Sequence, residues 1–462
     1  MSAPQLVIIG LDCAEPTLIA RWRADLPTLD RLMRQGSSGR MESCIPAITV
    51  PAWSCMLSGR DPGELGIYGF RNRADRSYGK MTTADGRAVR LPRLWDLLGD
   101  AGWRCAVVGV PGTWPPPPIN GSLVSCFLAP STDVPYTHPA ELASSIESLL
   151  GSEPYLLDIP DFRSTDRDRI LRDIITLCEQ RFAVAELLLE RDAPDLLLLV
   201  DMGTDRIHHA FWKFIDPTHP LHEPDSPYAN VIHDYYVRLD GLIARLLAKV
   251  GDATPLLVVS DHGARPLMGG VCVNEWLRQH GWLTLASEPA GPIAIDAAAV
   301  NWGATKAWGA GGYYGRIFMN VRGREAEGVI AAADYARERA ALADALRAMP
   351  GPDGQLLGNR VFVPQEIYRS VRGVAPDLIV YFGDLAWRAV GLVGGTLFTI
   401  ENDTGPDDAN HAQFGTLIWH DPAQPGGGRD LGDVSIYAIL PTLLDRFGVP
   451  APTGLRGVAQ RW

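Results

Sequence analysis

The 462-residue sequence has no apolar run approaching the roughly 18–20 residues a membrane-crossing helix needs, so no membrane span is expected. Its start, MSAPQLVIIGLD, has neither a basic n-region nor a small-residue cleavage site, and no signal peptide is expected there. The seven cysteines, at 13, 44, 55, 105, 126, 178 and 272, are odd in number and form no CxxC pair. They read as reduced, mostly buried thiols in a cytoplasmic protein. Basic residues are in deficit, 42 Lys and Arg against 54 Asp and Glu, for a net charge of −12. That argues against a nucleic-acid polymer as partner, which would call for a basic face. A small phosphorylated substrate stays open, because bound cations would reverse the sign locally. No GxGxxG follows the first strand-like run, which sets aside a nucleotide-dependent oxidoreductase. No internal repeat is present.

What is there is a large apolar fraction, 46%, enough for a sizeable core. Leu6–Leu11 is a short run rich in β-branched residues, the pattern of a strand buried on both faces. A helical pattern from Pro16 closes on Gly36, a strand is expected at Arg40–Ser43, and a helix at Ala52–Ser58. LPRLWDLLGDAG (helix), Arg104–Val110 (strand), Ile170–Arg191 (helix) and Asp195–Val200 (strand) continue the alternation. A helix from about Asn230 to Val250 and the strand PLLVVS extend it. The alternation predicts an α/β fold, a three-layer α/β/α sandwich around a mostly parallel sheet, as one domain over residues 1–462. Between 264 and 400 the texture turns Gly-rich and aromatic, with strand-like RIFMNV and DLIVYF, and reads as a cap inserted over the site. Ser435–Phe447 reads as a last helix.

In such folds ligands bind beyond the carboxyl ends of the strands. Asp12 ends the first predicted strand, and Asp261-His262-Gly263 leaves another. Asp205 and His209, in D-R-I-H-H, stand at i and i+4, one side of one helical turn, while the intervening His208 projects elsewhere. Thr49 lies at a helix start, a good position for an anion and for metal contact, and His411 precedes a late apolar run. Each has an ordinary reading as well. Asp12 and Thr49 are good helix caps, Asp261 suits a strand-end turn, and a lone loop histidine is usually solvated. Three carboxylates, three imidazoles and one hydroxyl together suit a pair of divalent metals about 3.5–4 Å apart, a known device for phosphoryl transfer. Their order along the chain makes the case that no single residue makes.

At I-T-V-P-A-W-S-C-M-L-S-G, D-R-I-H-H, S-D-H-G and N-H-A-Q-F-G-T-L-I the chain resembles the alkaline phosphatase superfamily, in its type I phosphodiesterase/nucleotide pyrophosphatase branch. The resemblance implies that Asp12, Thr49, Asp261 and His262 hold one metal and Asp205, His209 and His411 the other, with Thr49 as nucleophile. Asp201, in V-D-M-G-T-D, is the competing ligand, but a frame starting there would put Asp205 where the family has His. Sulfatases of the same superfamily need Cys or Ser at the nucleophile and Arg four residues on; here stand Thr49 and Trp53. The branch also implies an Asn about twenty residues past the nucleophile on a phosphate oxygen. Asn72 is the candidate, with Phe70 at the expected place. In the segment Asn301–Gly315, Trp302, Trp308, Tyr313 and Tyr314 are expected either to line a leaving-group pocket or to form a local core, and Lys306 to meet a phosphate. The implied cofactors are two divalent ions, zinc first and manganese second. The implied reaction is cleavage of phosphodiester or pyrophosphate bonds. The alternatives are a phosphomonoesterase of the same superfamily, or a catalytically silent relative that binds a phosphorylated ligand.

Overall fold

A computed structural model describes residues 3–462. At its centre is a nine-stranded sheet. Its middle is Leu256–Val259, Leu6–Leu11, Leu196–Asp201, Cys105–Val108 and Gly121–Val124, all mutually parallel. These strands are apolar along most of their length because helices cover both faces. Leu6, Val7, Ile9 and Leu196–Leu199 are fully buried. Outside them lie Thr137–His138 at one edge and Phe414–His420, Ser37–Glu42 and Arg429–Ser435 at the other. Only Thr137–His138 and Phe414–His420 run against the rest. The helices form two groups that pack within themselves: Pro27–Gln35, Arg167–Asp192, Gly203–Ile215 and Val231–Val250 in one, Thr49–Ser58, Leu94–Asp100 and Ile439–Arg446 in the other. This is the expected α/β/α arrangement.

Local differences from the sequence reading have local causes. The helical pattern after Pro16 is broken at Pro27 into Pro16–Arg21, a 3-10 turn and Pro27–Gln35, because proline favours a first helical turn. The short strand Gly121–Val124 and the edge strands Thr137–His138 and Arg429–Ser435 carry too little apolar patterning to be read in advance. The last helix starts at Ile439, after a 3-10 turn capped by Ser435.

The 264–400 stretch builds a second hydrophobic core around Trp276, Trp308, Ile317, Phe318, Leu342 and Val380. Its frame is a four-stranded antiparallel sheet, Ala307–Ala310, Gly315–Met319, Leu378–Tyr381 and Arg360–Phe362 in that order. RIFMNV and DLIVYF supply its two inner strands. No helix among the described residues is long and apolar enough to cross a membrane.

Candidate active site

Asp12 follows the Leu6–Leu11 strand, where its amide donates to Asp201 O at 3.0 Å. It does not cap the next helix; Glu15 does, accepting from the Thr17 amide. One carboxylate oxygen, Oδ2, accepts from Trp53 Nε1 at 2.7 Å, and the other, Oδ1, is buried without a hydrogen-bond partner. The indole reaches Asp12 because the strand carries Gly10: a Cβ there would sit 2.5 Å from the Trp53 ring.

Asp261 and His262 leave the neighbouring strand. Asp261 Oδ1 accepts from the Cys13 amide at 3.2 Å, and Oδ2 is buried without a partner. His262 Nδ1–H donates to Gly263 O at 3.1 Å. That fixes the tautomer and aims Nε2 inward, 3.2 Å from Asp261 Oδ2 and 3.8 Å from Asp12 Oδ1. Thr49 is the first residue of the Thr49–Ser58 helix, Ile48 holds the cap position, and the threonine hydroxyl makes no cap bond. Its Oγ1 lies 3.3 Å from His262 Nε2 instead. The orphan amides of the first helical turn lie behind it.

The Gly203–Ile215 helix brings Asp205 and His209 together, with Oδ1 and Nε2 3.2 Å apart. The alignment makes no hydrogen bond, and both atoms are buried without a partner. Asp201, by contrast, is used up structurally, accepting from Tyr235 Oη at 2.6 Å and from the Gly203 amide. His208 points away into an aromatic nest with Trp212 and Tyr236. His411 sits in a short strand, Ala409–Ala412, rather than the expected loop. Pairing with Gly263–Pro266 sets it beside His262, ring centroids 3.9 Å apart. Its Nδ1–H donates to Ala47 O at 3.1 Å, leaving Nε2 3.8 Å from Asp205 Oδ1.

All seven residues thus converge at one edge of the sheet, each at most 3% exposed. Four orphaned atoms, Asp12 Oδ1, Asp261 Oδ2, Asp205 Oδ1 and His209 Nε2, belong to this set. Burying such groups without partners is costly, and divalent cations would satisfy all four. The donors therefore fit a metal pair, Asp12, Asp261 and His262 around one position and Asp205 and His209 around the other. Cys13 also brings its sulfur near the second position. Burial and the charge of Asp205 push its thiol well above its ordinary pKa, and it donates to Gly263 O, so it is a poor ligand beside His411.

Charge divides the site. Burial, joined by mutual repulsion among the carboxylates, raises Asp12 and Asp261 well above the usual carboxylate range. Asp205 is equally buried, yet His209 and Arg206 hold it well below that range. Burial lowers His262 to about 4 and lowers His411 too.

Several positioning groups were not foreseen from the sequence. His209 Nδ1 donates to Asp407 Oδ1 at 2.7 Å, and Asp407 Oδ2 accepts from Arg163 at 2.6 Å. Arg206 holds Asp205 Oδ2 at 2.6 Å and grips Asp158 with two bonds. Tyr313, expected in a leaving-group pocket or a local core, stacks on His411 at 4.2 Å. The one advance signal for Asp407 is an acidic pair just before N-H in D-D-A-N-H, where a ligand-type histidine wants a carboxylate on its other nitrogen.

Two expected substrate contacts have other jobs. The Asn72 amide ties down its own loop, accepting from the Tyr68 amide at 2.7 Å and donating to Gly69 O at 3.0 Å. Lys306 pairs with Glu338 at 3.0 Å over the Trp282 ring. Phe70, at the place expected for the asparagine, packs on Phe127.

The family model described as type I phosphodiesterase / nucleotide pyrophosphatase matches residues 6–407. The chain belongs to that family. It is a phosphohydrolase of the alkaline phosphatase superfamily, a group of metal-dependent enzymes. Among solved structures the fold is similar to phosphonoacetate hydrolase from Sinorhizobium meliloti 1021 in complex with phosphonoformate. The two are 17% identical, with a TM-score of 0.60, covering 97% of this chain and 96% of that one. It is also similar to murine ectonucleotide pyrophosphatase / phosphodiesterase 5, at 14% identity and TM-score 0.57, again over 97% and 96%. No curated protein matches the chain by sequence.

Proposed function

We propose that this enzyme hydrolyses phosphodiester or pyrophosphate bonds of a small substrate, with Thr49 as nucleophile and two divalent ions, zinc first and manganese second, as cofactors. Asp12, Thr49, Asp261 and His262 would hold one ion, and Asp205, His209 and His411 the other. When bound, the ions supply charge to acidify the threonine hydroxyl and to neutralise the attacking and leaving oxygens. The observation that carries the reading is the convergence of the Thr49 hydroxyl with four buried, partnerless ligand-type atoms.

The chain's own residues do the positioning. Thr49 Oγ1 gives its proton to water and attacks phosphorus in line, the bond to the leaving oxygen breaks, that oxygen takes up a proton from water, and a phosphothreonine ester forms. Water then attacks the same phosphorus and restores the hydroxyl. The Thr49 and Val50 amides at the start of the Thr49–Ser58 helix, Pro51 having none, would be available to phosphoryl oxygens. Hydrogen bonds from Nδ1 of His209, His262 and His411 hold the three rings with Nε2 turned inward. The 264–400 segment, with its own core, is read as the cap over this edge. Free, buried cysteines suit a cytoplasmic setting.

The test is initial rates of metal-loaded protein on bis-p-nitrophenyl phosphate and p-nitrophenyl phosphate side by side. A clear preference for the diester is expected. Preference for the monoester would move the function to a phosphatase with the same nucleophile, and no turnover of either would revive a silent, ligand-binding relative.

A further inference from the structure

Beside the metal-ligand cluster lies a cavity of about 480 Å³, between the Arg71–Arg73 strand and the second core, within the size range of small-molecule sites. One wall is aromatic: Tyr78 and Trp302 stack at 3.7 Å, with Trp308 edge-on at 5.2 Å to each. The rest is unusually basic for a chain of net charge −12, for Arg71, Arg73, Arg316 and Arg388 all line it.

Their bonding is incomplete. Arg73 and Arg388 are each 5% exposed. They have carboxylate neighbours, Glu325 for Arg73, and Asp403 and Asp407 for Arg388, yet the Nε–H of each is buried with no acceptor. Arg316 is half-buried and reaches only backbone carbonyls, those of Arg71 and Gly311. Its burial lowers the guanidinium below its ordinary pKa, and Arg71 adds to the effect. The Arg71 side chain forms no hydrogen bond or ion pair among the described residues. Lining acids are fewer, Asp403, already facing Arg388, and the exposed Asp296. An anion entering here would meet guanidinium groups that lack a carboxylate, beside an apolar wall for the ring or chain that carries it.

The cavity adjoins the reaction site. The Arg388 guanidinium stands 5.7 Å from the centroid of the Tyr313 ring, and Tyr313 stacks on His411. Arg388 Nη1 is also 3.5 Å from Asp407 Oδ2, whose other oxygen holds His209. Arg388, Tyr313 and Asp407 thus connect the cavity to the ligand cluster.

We infer that this cavity receives a second anionic group of the substrate, a carboxylate or a phosphate on the ester group far from the scissile bond, with Arg71 and Arg316 as its charge partners. The inference rests on the phosphodiesterase reading and narrows it to diesters with an extra negative charge. Lys306, tied to Glu338, takes no part.

The experiment compares three diesters on the metal-loaded full chain: bis-p-nitrophenyl phosphate, p-nitrophenyl 4-carboxyphenyl phosphate and p-nitrophenyl 4-phosphonophenyl phosphate. Wild type is expected to favour at least one charged diester by about tenfold in kcat/KM, mainly through KM, the size of a single charge-assisted contact. Whichever charged diester leads identifies the anion. In Arg316→Gln and in Arg71→Gln that ratio should collapse toward one. Arg71→Gln is the variant least able to disturb folding, since the arginine side chain has no partner to lose. A wild type without preference, or variants that slow all three diesters equally, would overturn the inference. Should none be hydrolysed, the phosphodiesterase reading fails, and titration calorimetry with 4-carboxyphenylphosphonate judges the cavity alone. Roughly tenfold weaker binding to Arg316→Gln and Arg71→Gln than to wild type would support it, and equal binding would overturn it.

Discussion

The two halves of the site solve the same electrostatic problem differently. Asp12, Thr49, Asp261 and His262 are set by backbone: two strand ends and a helix start. Two carboxylates crowd there with no cationic side chain on either, and both are pushed up in pKa. Asp205, His209 and His411 stand on a helix and a short ribbon and are trussed by side chains, Arg206 on Asp205 and the Arg163–Asp407 pair on His209. There the carboxylate is held down. Precise backbone placement lets the first half rely on its cations for charge balance. The second half carries its own counter-charge, so its geometry depends on residues distant in sequence.

The largest expected effect breaks the comparison at its reacting atom. Thr49→Ala should lower kcat by about a thousandfold or more, as losing a nucleophile does, while metal content measured by native mass spectrometry stays as in wild type. Full activity in that variant would remove the nucleophile assignment.

Next in size are the supports of each half. Asp407→Asn should weaken metal affinity or activity by about 10–100-fold, the usual effect of losing a ligand's outer partner. Trp53→Phe, which removes one bond to a backbone-placed Asp12, should change them by less. Competition titrations with a chromogenic chelator on both variants measure the contrast; equal losses would erase the distinction between the halves.

A pH effect follows from His208, buried behind the second half with its pKa lowered by desolvation to about 3. The unfolded chain takes up that proton near pH 6.5 and the folded chain does not, so this group withdraws stability as pH falls from about 6.5 toward 3. His208→Gln should flatten the loss of stability between pH 6.5 and 4 in denaturant unfolding. Parallel wild-type and variant curves would contradict it. The smallest effect is Lys306→Ala, expected to leave kcat and KM for bis-p-nitrophenyl phosphate within about twofold, since surface ion pairs contribute little.

The same contrast explains what could be read in advance. Strand ends are legible, because buried parallel strands are apolar runs and a carboxylate directly after one is conspicuous; Asp12 and Asp261 were found that way. The Asp205–His209 spacing is legible because a helix turns at 3.6 residues. Trusses were not. Arg206 reaches Asp158 across 48 residues and His209 reaches Asp407 across 198, and no local pattern announces such pairs. The antiparallel frame around the second core was closed to sequence reading for the same reason, since Leu378–Tyr381 inserts between two earlier strands, Gly315–Met319 and Arg360–Phe362. Asn72 was chosen by its offset from Thr49, but offset says nothing of what the amide binds, and here it binds its own loop.

The most direct test of Thr49 as nucleophile is the stereochemical course of hydrolysis of a p-nitrophenyl phosphorothioate diester, chiral at phosphorus, in oxygen-18 water. Each in-line displacement inverts the phosphorus. Attack by Thr49 followed by attack of water makes two inversions, and the account predicts net retention. Net inversion would mean that water attacks the substrate directly, and Thr49 would not be the nucleophile.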